Sequence, residues 1–275
     1  MTSQSEKCDQ FAALHSQADA FIIPNPWDAG SAKILQELGF KALATTSAGF
    51  AYSLGRTDGK PTLEEKLAHC RTLASATDIP VNADFEDGFA DDPETVATNV
   101  LRLLETGVAG GSIEDFSRST RTLFGRNQAV ERLQAAAEAI ENSGLAFQLT
   151  ARAENLLRGV NDLDDTIQRL LAYQAAGAHV LYAPGIRTLK DLRTVTGSIQ
   201  RPFNVLGVFM PDASLQDFSA AGAKRVSVGG ALTWAAVKPL LDAGREMLDQ
   251  GTFGWIRNTA PGAEVNRLLQ SDVQR

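Results

Sequence analysis

The segment IPVNADFEDGFADDPETVATNVLRLLETGVAGGSIED, residues 79–115, shows the repeat unit that decides the fold of this chain. A short apolar run ending in acids (79–87) leads into a longer segment (93–107) in which apolar residues recur at three- and four-residue steps. That spacing, with a proline at its start and a glycine at its end, predicts an amphipathic helix. A second apolar run ending in acids (108–115) follows. The segment therefore predicts a strand, a helix and a second strand parallel to the first.

The same alternation extends over most of the chain and yields eight candidate strands. Several are apolar throughout, which is typical of parallel strands covered on both faces. The candidates are AFIIPN (20–25), KALATTS (41–47), IPVNADFED (79–87), VAGGSIED (108–115), LAFQLTARAE (145–154), AHVLYAPG (178–185), PFNVLG (202–207) and KRVSVGG (224–230). Eight strand–helix units predict an α/β protein with a (β/α)8 barrel, the TIM barrel. An open, doubly wound sheet is disfavoured, because PNPWDAGSA after the first strand lacks the glycine pattern that binds dinucleotides.

Segments outside the eight units are expected to be helical additions to the same domain. No linker rich in Pro, Ser or Gly divides residues 1–275, so one domain is predicted. The first nineteen residues are expected to form an extra helix that packs Phe11 and Leu14 on the barrel. A C-terminal helical extension begins at Thr252, and its Trp255 and Ile256 would be costly to expose, which favours a partner subunit.

The composition indicates a cytoplasmic protein that binds neither nucleic acid nor membranes. A formal net charge of −7 argues against broad binding to polyanions, which requires a basic surface. No apolar run of roughly 18 residues is present, and the N-terminus lacks the pattern of a signal peptide. Cys8 and Cys70 lie far apart without a CxxC motif, which fits a reducing compartment.

Acidic side chains at the ends of two neighbouring predicted strands suggest a metal site. Asp84 and Glu86 flank Phe85, so in an extended strand they would share one face, and Glu114 ends the next strand. The C-terminal ends of barrel strands meet at one mouth, and Mg²⁺ prefers oxygen ligands. We therefore predict a Mg²⁺ site, with Mn²⁺ as an alternative ion. The competing interpretation is that these acids are surface residues on loops.

Three other features at the same mouth could bind an anionic ligand. Arg152 offers a planar fork for a carboxylate, or else an internal ion pair with Glu114 or Glu154. The small residues 47–49 could present N–H groups to an oxyanion, although a tight turn explains them equally well. The polar loop 116–128 could close as a lid or be a flexible connection.

These motifs together resemble the isocitrate lyase/phosphoenolpyruvate mutase superfamily. The resemblance covers almost the whole chain and consists of an ordered set of segments: PNPWDAGSAKILQELGFKAL, TSAGFAYSLGRTDG, PVNADFEDGF, GVAGGSIED, ARAE, NVLG and RVSVGGAL. It implies a (β/α)8 barrel whose last helix is exchanged between paired subunits, commonly in a dimer of dimers and so a homotetramer. It also implies Mg²⁺, a small 2-oxo acid as substrate, and a C–C or P–C bond that is made or broken beside the oxo group.

The resemblance implies a role for each matching residue. By position, Asp84 would contact Mg²⁺, partly through water, and Glu86 and Glu114 would be the second and third acids. Arg152 matches the anchor of the substrate carboxylate, and Asp58 matches a carboxylate near the reacting bond.

The remaining matches concern substrate binding. Ser47, Ala48 and Gly49 match the turn that holds the oxo acid through N–H groups and a hydroxyl. Asn204, in the matching NVLG segment, is expected to contact the substrate.

One departure narrows the expected activity. Isocitrate and methylisocitrate lyases carry Lys-Lys-Cys-Gly-His after the fourth strand, whereas this chain reads FSRSTRTLFGRNQ there (116–128). The loop has no Cys, Lys or His, which argues against those two activities. We expect a Mg²⁺-dependent lyase that cleaves a C–C bond of a 2-oxo or 2-hydroxy di- or tricarboxylic acid through a pyruvate-type enolate, as in oxaloacetate decarboxylation or cleavage of a substituted malate. The alternatives are a P–C mutase or hydrolase of phosphonopyruvate type and a non-catalytic binder of 2-oxo acids.

Overall fold

Eight short parallel strands form one sheet in the computed structural model, which describes residues 2–270. The strands β1 to β8 are Phe21–Ile23, Leu43–Ala44, Val81–Asp84, Gly110–Glu114, Gln148–Arg152, Val180–Tyr182, Phe203–Leu206 and Arg225–Ser227. The hydrogen-bonded order is β1, β8, β7, β6, β5, β4, β3, β2, and every pair is parallel. Between β1 and β2, the N–H of Ala44 donates to the carbonyl oxygen of Pro24 at 3.0 Å. The predicted (β/α)8 barrel is confirmed.

Helices alternate with the strands as the sequence pattern predicts. The helices α1 to α11 are Gln4–Ser16, Ala29–Glu37, Ser47–Ser53, Leu63–Ala76, Pro93–Leu104, Arg126–Ser143, Leu163–Ala175, Leu189–Ser198, Leu215–Ala220, Ala231–Gln250 and Gly262–Gln270. Local chemistry sets their ends: Asp92 caps α5 by accepting the N–H of Thr95 at 2.8 Å, and Pro93 occupies the first turn. Val96, Val100 and their neighbours at helical spacing bury the inner face of α5.

The helix α1 packs across the N-terminal ends of the strands, as expected for the first nineteen residues. Phe11 is fully buried and Leu14 is nearly so. Gly110, the first residue of β4, must lack a side chain, because a Cβ atom there would lie 2.7 Å from Cε1 of Phe11. The helix is also tied to the C-terminal end of α4 by Lys7, whose Nζ donates to the carbonyl oxygens of Ala74 and Thr77.

The strands are shorter than the apolar runs that predicted them. The candidate strand 79–87 forms regular sheet only over Val81–Asp84. Glu86 and Gly88 have left-handed backbone angles, with φ of 48° and 74°, so the chain turns immediately after Asp84. The expectation that the extended strand continues through Glu86 was therefore wrong, and strand alternation does not apply to Glu86.

The last barrel helix, α10, is poorly covered by the rest of the chain. Only Thr233 and Ala243 of its residues are buried, whereas several large apolar side chains are exposed. These are Trp234, Leu240, Leu241, Met247 and Leu248. The extension beyond it, with a 3₁₀ turn at Gly254–Asn258 and then α11, leaves Ile256 54% exposed.

Two further predictions concern membranes and cysteines. Within residues 2–270, no helix is both long enough and apolar enough to cross a membrane. Cys8 and Cys70 are buried free thiols. Burial raises the pKa of each thiol to about 11.

The buried ring of His69 makes the stability of the fold depend on pH. Its ring stacks on Phe50 with centroids 4.0 Å apart, and its Nε2 lies 2.9 Å from the carbonyl oxygen of Trp27. Burial, and then the charge of Lys66, lowers the pKa of His69 to about 3. Because this folded-state pKa is below the unfolded value, the neutral ring stabilises the fold above about pH 6.5, and the contribution is lost as the pH falls toward 3.

We expect the stability advantage of the wild type over His69→Phe to shrink by about 1.4 kcal/mol for each pH unit below about pH 6. Phenylalanine keeps the ring stack on Phe50. Loss of the hydrogen bond to Trp27 changes the free energy of unfolding by an amount that does not depend on pH. Urea unfolding of both proteins between about pH 7 and pH 5 measures the difference. A difference that stays constant with pH would contradict the expectation.

Candidate active site

A small polar cavity lies at the C-terminal ends of the barrel strands, where the sequence predicts the site. Its volume is about 50 Å³, and its polar lining includes Asn25, Asp84, Arg152, Tyr182, Asn204 and Arg225. By volume it holds only a few water-sized atoms, so it suits one small functional group.

Arg152, the last residue of β5, lies at the centre of a cluster of acids. Its Nε contacts Oε1 of Glu154, and its Nη1 lies 3.3 Å from Oε2 of Glu114 and 3.7 Å from Oδ1 of Asp84. Burial lowers the pKa of Arg152, but Glu154 and Glu114 more than offset this and raise it well above its usual value. The internal ion pair that the sequence left open is therefore present. Nη2 of Arg152 has no acceptor among residues 2–270 and remains available to a ligand.

A second arginine shares the same acids. Nη2 of Arg158 lies 2.8 Å from Oε2 of Glu154 and 3.6 Å from Oε1 of Glu114, and its guanidinium lies 3.7 Å from the ring centroid of Phe116. Burial raises the pKa of Glu114 well above its usual value; Arg152 opposes this shift, and Glu154 adds to it. The cluster therefore places three acidic side chains, those of Asp84, Glu114 and Glu154, against two arginines.

Asp115, next to Glu114, supports this arrangement from outside the cavity. Its Oδ1 accepts the N–H of Glu154 at 2.8 Å, and its Oδ2 accepts from Nη1 of Arg169 at 2.9 Å and from the hydroxyl of Tyr173 at 2.5 Å. Asp115 thus fixes the backbone that presents Glu154 to Arg152.

Asp84 is held in its ionised form at the edge of the cavity. Its Oδ2 accepts the N–H of Ser47 at 2.9 Å, and its own N–H donates to Oγ1 of Thr45, which also accepts from Nζ of Lys66. Burial raises the pKa of Asp84, but Arg152, Lys66 and the Ser47 N–H outweigh burial and lower it. Asp84 therefore offers a hard, charged oxygen at the mouth.

The predicted turn at 47–49 is the first turn of α3. Thr46 caps the helix, and its Oγ1 accepts the N–H of Gly49 at 3.3 Å. Close packing explains the glycine, since a Cβ atom there would lie 2.5 Å from Oγ1 of Thr233. The N–H of Ser47 is bonded to Asp84, so this segment positions the acid directly. Contact of Ser47, Ala48 or Gly49 with a substrate stays a prediction.

The loop after β4 lies over Glu86. Nε of Arg118 is 2.8 Å from Oε2 of Glu86, and its Nη2 donates to the carbonyl oxygens of Gly59 and Pro61 at 2.9 and 2.7 Å. Burial raises the pKa of Glu86 to about 7, although the charge of Arg118 opposes the shift. One arginine therefore ties together three segments at the mouth, and the loop is held by specific bonds in this conformation.

Of two further predicted site residues, Asn204 lies in the cavity and Asp58 lies outside it. Asn204 lines the cavity, where its Oδ1 accepts from Nε of Arg225 at 2.8 Å and its Nδ2 donates to Oγ of Ser227 at 3.0 Å. Asp58 is exposed on the loop after α3, accepts the N–H of Gly59 at 3.0 Å, and does not line the cavity. Its assignment near the reacting bond stays a prediction.

The predicted metal ligands suit a cation that keeps several of its waters better than one coordinated entirely by protein side chains. No three His, Cys, Asp or Glu side chains within residues 2–270 are grouped closely enough to hold a metal ion by themselves. Asp84, Glu86 and Glu114 each face an arginine. However, the donors are all carboxylate oxygens, and burial raises the pKa of Glu86 and of Glu114. A cation bound at the mouth would favour the ionised form of both acids. Mg²⁺ commonly uses one or two carboxylates and keeps several waters, so Asp84 with water-mediated neighbours fits it.

Sequence reasoning missed two arginines of the site. Arg158 follows Glu154 by four residues, a spacing that brings side chains together in a helical turn. Arg225 stands in KRVSVGG, where strand alternation places it on the same face as Ser227. That alternation was the available signal for an inward-facing charge.

Comparison with known proteins identifies the family. Residues 11–248 match the family model described as phosphoenolpyruvate phosphomutase. A solved Burkholderia cenocepacia structure, assigned provisionally as a lyase/mutase, is 47% identical, covers 96% of this chain and 95% of its own, and superposes with a TM-score of 0.92.

Two curated relatives are named enzymes. The 2-methylisocitrate lyase of Escherichia coli is 29% identical over 70% of this chain and 67% of its own length. The oxaloacetate decarboxylase of Chromohalobacter salexigens is 26% identical over 90% of this chain and 87% of its own. The chain therefore belongs to the phosphoenolpyruvate phosphomutase family, within the PEP mutase/isocitrate lyase superfamily of lyases and mutases that its motifs indicate.

Proposed function

We propose that the protein is a Mg²⁺-dependent lyase that cleaves a C–C bond of a small 2-oxo diacid, as in the decarboxylation of oxaloacetate. The observation that carries the proposal is the ionised Asp84 beside Arg152, at the mouth of a cavity of about 50 Å³. A negative oxygen and a guanidinium with a free N–H are the groups needed to hold a cation and a carboxylate side by side. The named lyase and decarboxylase relatives support the same reaction class.

The residues of the chain would hold the substrate in a fixed orientation. When bound, Mg²⁺ would supply Lewis-acid stabilisation of the negative charge that develops on a substrate oxygen, worth several kcal/mol. Asp84 would hold the ion, with Glu86 and Glu114 as further acids. Arg152, locked by Glu154 and Glu114, would donate its Nη2 N–H to a carboxylate without losing its orientation.

The loop after β4 favours decarboxylation over reactions that begin with a proton transfer. Around its tip, Oγ1 of Thr120 and Oγ1 of Thr122 bond to each other at 2.8 Å, and no Cys, Lys or His lies between 116 and 128. Loss of CO₂ from oxaloacetate needs no base: the C3–C4 bond breaks, its electron pair forms the enolate of pyruvate, and water protonates C3. Arg118 holds the loop over the mouth, which limits the entry of other solvent during that step.

We expect the purified protein with Mg²⁺ to release pyruvate from oxaloacetate faster than Mg²⁺ alone, and EDTA to abolish the difference. Mn²⁺ is expected to substitute for Mg²⁺. The assay is pyruvate formation across a panel of oxaloacetate, substituted malates and phosphonopyruvate, with enzyme-free controls. Turnover of phosphonopyruvate alone would replace the proposal with P–C chemistry. Mg²⁺-dependent binding of 2-oxo acids without any product would indicate a binding protein.

Asp84→Asn is expected to lower the rate by about 100- to 1,000-fold, because the amide is nearly isosteric but lacks the charge that holds a cation. Asp9→Asn, at an exposed position of α1 on the opposite side of the barrel from the mouth, is the matched control and is expected to keep wild-type activity. Circular dichroism checks that both variants are folded. Wild-type turnover by Asp84→Asn would refute its placement at the metal.

We also propose that α10 packs against a second copy of this chain, as the swapped helix of a dimer within a homotetramer. The support is its exposed apolar face, which a monomer would leave in water, and which includes Leu240 at 62% and Leu241 at 48% exposure.

Leu241→Asp is expected to shift the protein to a smaller species, because a charge in an apolar subunit contact is costly to desolvate. Leu101→Asp, on the outer face of α5 with the same 48% exposure, is the matched control and is expected to leave the assembly intact. Light scattering coupled to size-exclusion chromatography measures both masses. A monomeric wild type would rule out the swapped dimer.

A further inference from the structure

Arg132, in the helical layer of the barrel, reaches from α6 to the ends of two strands. It is 1% exposed, and among the described residues all of its hydrogen bonds end on main-chain carbonyl oxygens. Its Nη2 donates to the carbonyl oxygens of Asp87 and Ala90, the second at 3.0 Å, and its Nη1 donates to that of Glu114 at 3.3 Å. Its Cζ lies over the ring of Phe124, 4.1 Å from the centroid. One side chain thus joins the turn after β3, the end of β4 and the loop that follows β4.

Two of these carbonyl groups belong to the segments that carry the acids of the mouth. Glu114 is itself one of those acids, and Asp87 directly follows Glu86. The N–H of Glu114 also donates to the carbonyl oxygen of Glu86 at 2.8 Å. The two segments are therefore bonded to each other and to Arg132, and neither can shift without breaking one of these bonds.

The turn after β3 needs such support because its backbone is unusual. Glu86 and Phe89 have left-handed backbone angles, with φ of 48° and 58°, which are unfavourable for residues other than glycine. Such conformations persist only where the surrounding structure holds them, and they cluster at functional sites. Within this turn, the carbonyl oxygens of Asp87 and Ala90 both accept from Nη2 of Arg132. Arg132 therefore supplies two of the bonds that hold the turn.

Packing of α6 on the barrel does not by itself require an arginine at this position. The other buried residues of the helix are all apolar: Ala129, Leu133, Ala136, Ala139 and Ile140. A buried guanidinium loses its hydration, and burial lowers the pKa of Arg132, so an apolar side chain would fill the position at less cost. What only an arginine offers is a rigid planar fork that donates to several carbonyl oxygens at once.

We propose that Arg132 is a positioning residue for the metal site. It acts through the main chain at the ends of β3 and β4, and so fixes where the carboxylates of Glu86 and Glu114 lie relative to Asp84. The proposal deepens the proposed function and rests on it for the cation. Arg132 does not line the cavity, so its effect on a ligand is indirect. Groups that orient metal-binding side chains from behind typically change metal affinity by about 10- to 100-fold when they are removed.

The test is Mn²⁺ binding to the protein without substrate, measured from the signal of the free ion in electron paramagnetic resonance. Arg132→Lys keeps the positive charge but cannot bond to three carbonyl oxygens at once, and we expect it to weaken Mn²⁺ binding by about 10-fold. Leu14→Ala is the matched control, because it loses buried packing between α1 and the barrel, far from the acids, and so also destabilises the fold. It is expected to bind Mn²⁺ like the wild type.

Phe124→Leu is a second variant that leaves the arginine in place. It removes the ring against which the guanidinium lies, so the fork is held less firmly and Mn²⁺ binding is expected to weaken a few-fold. Thermal melting checks the fold of every variant, and Phe124→Leu decides the question if Arg132→Lys does not fold. Where oxaloacetate is turned over, the Mg²⁺ concentration that gives half the maximal rate is expected to rise by the same factor as the Mn²⁺ dissociation constant.

Mn²⁺ affinity equal to that of the wild type in folded Arg132→Lys, or in Phe124→Leu if the lysine variant does not fold, would overturn the proposal. Equal weakening in Leu14→Ala would overturn it too, since the loss would then follow stability alone. A wild type that binds no Mn²⁺ would refute the proposed function together with this inference. Mn²⁺ binding that weakens in Arg132→Lys but not in Leu14→Ala supports the positioning role even where oxaloacetate is not decarboxylated, and then only the proposed reaction is refuted.

Discussion

The ion cluster around Arg152 is the interaction on which the rest of the mouth depends. Glu114 and Arg152 are direct partners in the register of β4 and β5, and Asp84 ends the adjoining β3. Removing one member of such a buried cluster leaves an uncompensated charge, which typically costs about 3–5 kcal/mol. The same bonds hold the ends of three strands in fixed relation, so the cluster both stabilises this rim and orients the groups that would meet a ligand.

The distribution of charge inside the barrel separates two kinds of arginine. Arg152 is surrounded by acids, so its net field is small and it acts through a directed N–H group. Arg225 has only neutral hydrogen-bond partners, which are Asn204, Thr150 and His15. The first arrangement favours geometric precision near a cation.

The loops at the mouth show how local backbone geometry determines which charged groups form ion pairs. Glu86 adopts a left-handed conformation in the turn after β3, and its carboxylate pairs with Arg118. Arg118 in turn bonds to the carbonyl oxygens of Gly59 and Pro61, so the loop after β4 is linked to the loop after α3. A change in any one of these segments would therefore alter the surroundings of the Glu86 carboxylate.

The sequence by itself determined the barrel, the packing of α1 through Phe11, the family and the acids at the strand ends, because periodicity, capping and motif order are local properties. The tertiary structure alone decided that Arg152 is paired internally, that Glu86 pairs with Arg118, and that the hydrogen-bond partners of Arg225 are neutral groups. Those outcomes depend on distances between strands that are far apart in the chain, which follow from how the barrel closes. Spacing along the chain predicts which side chains reach the interior, but only the closed barrel determines which charges meet there.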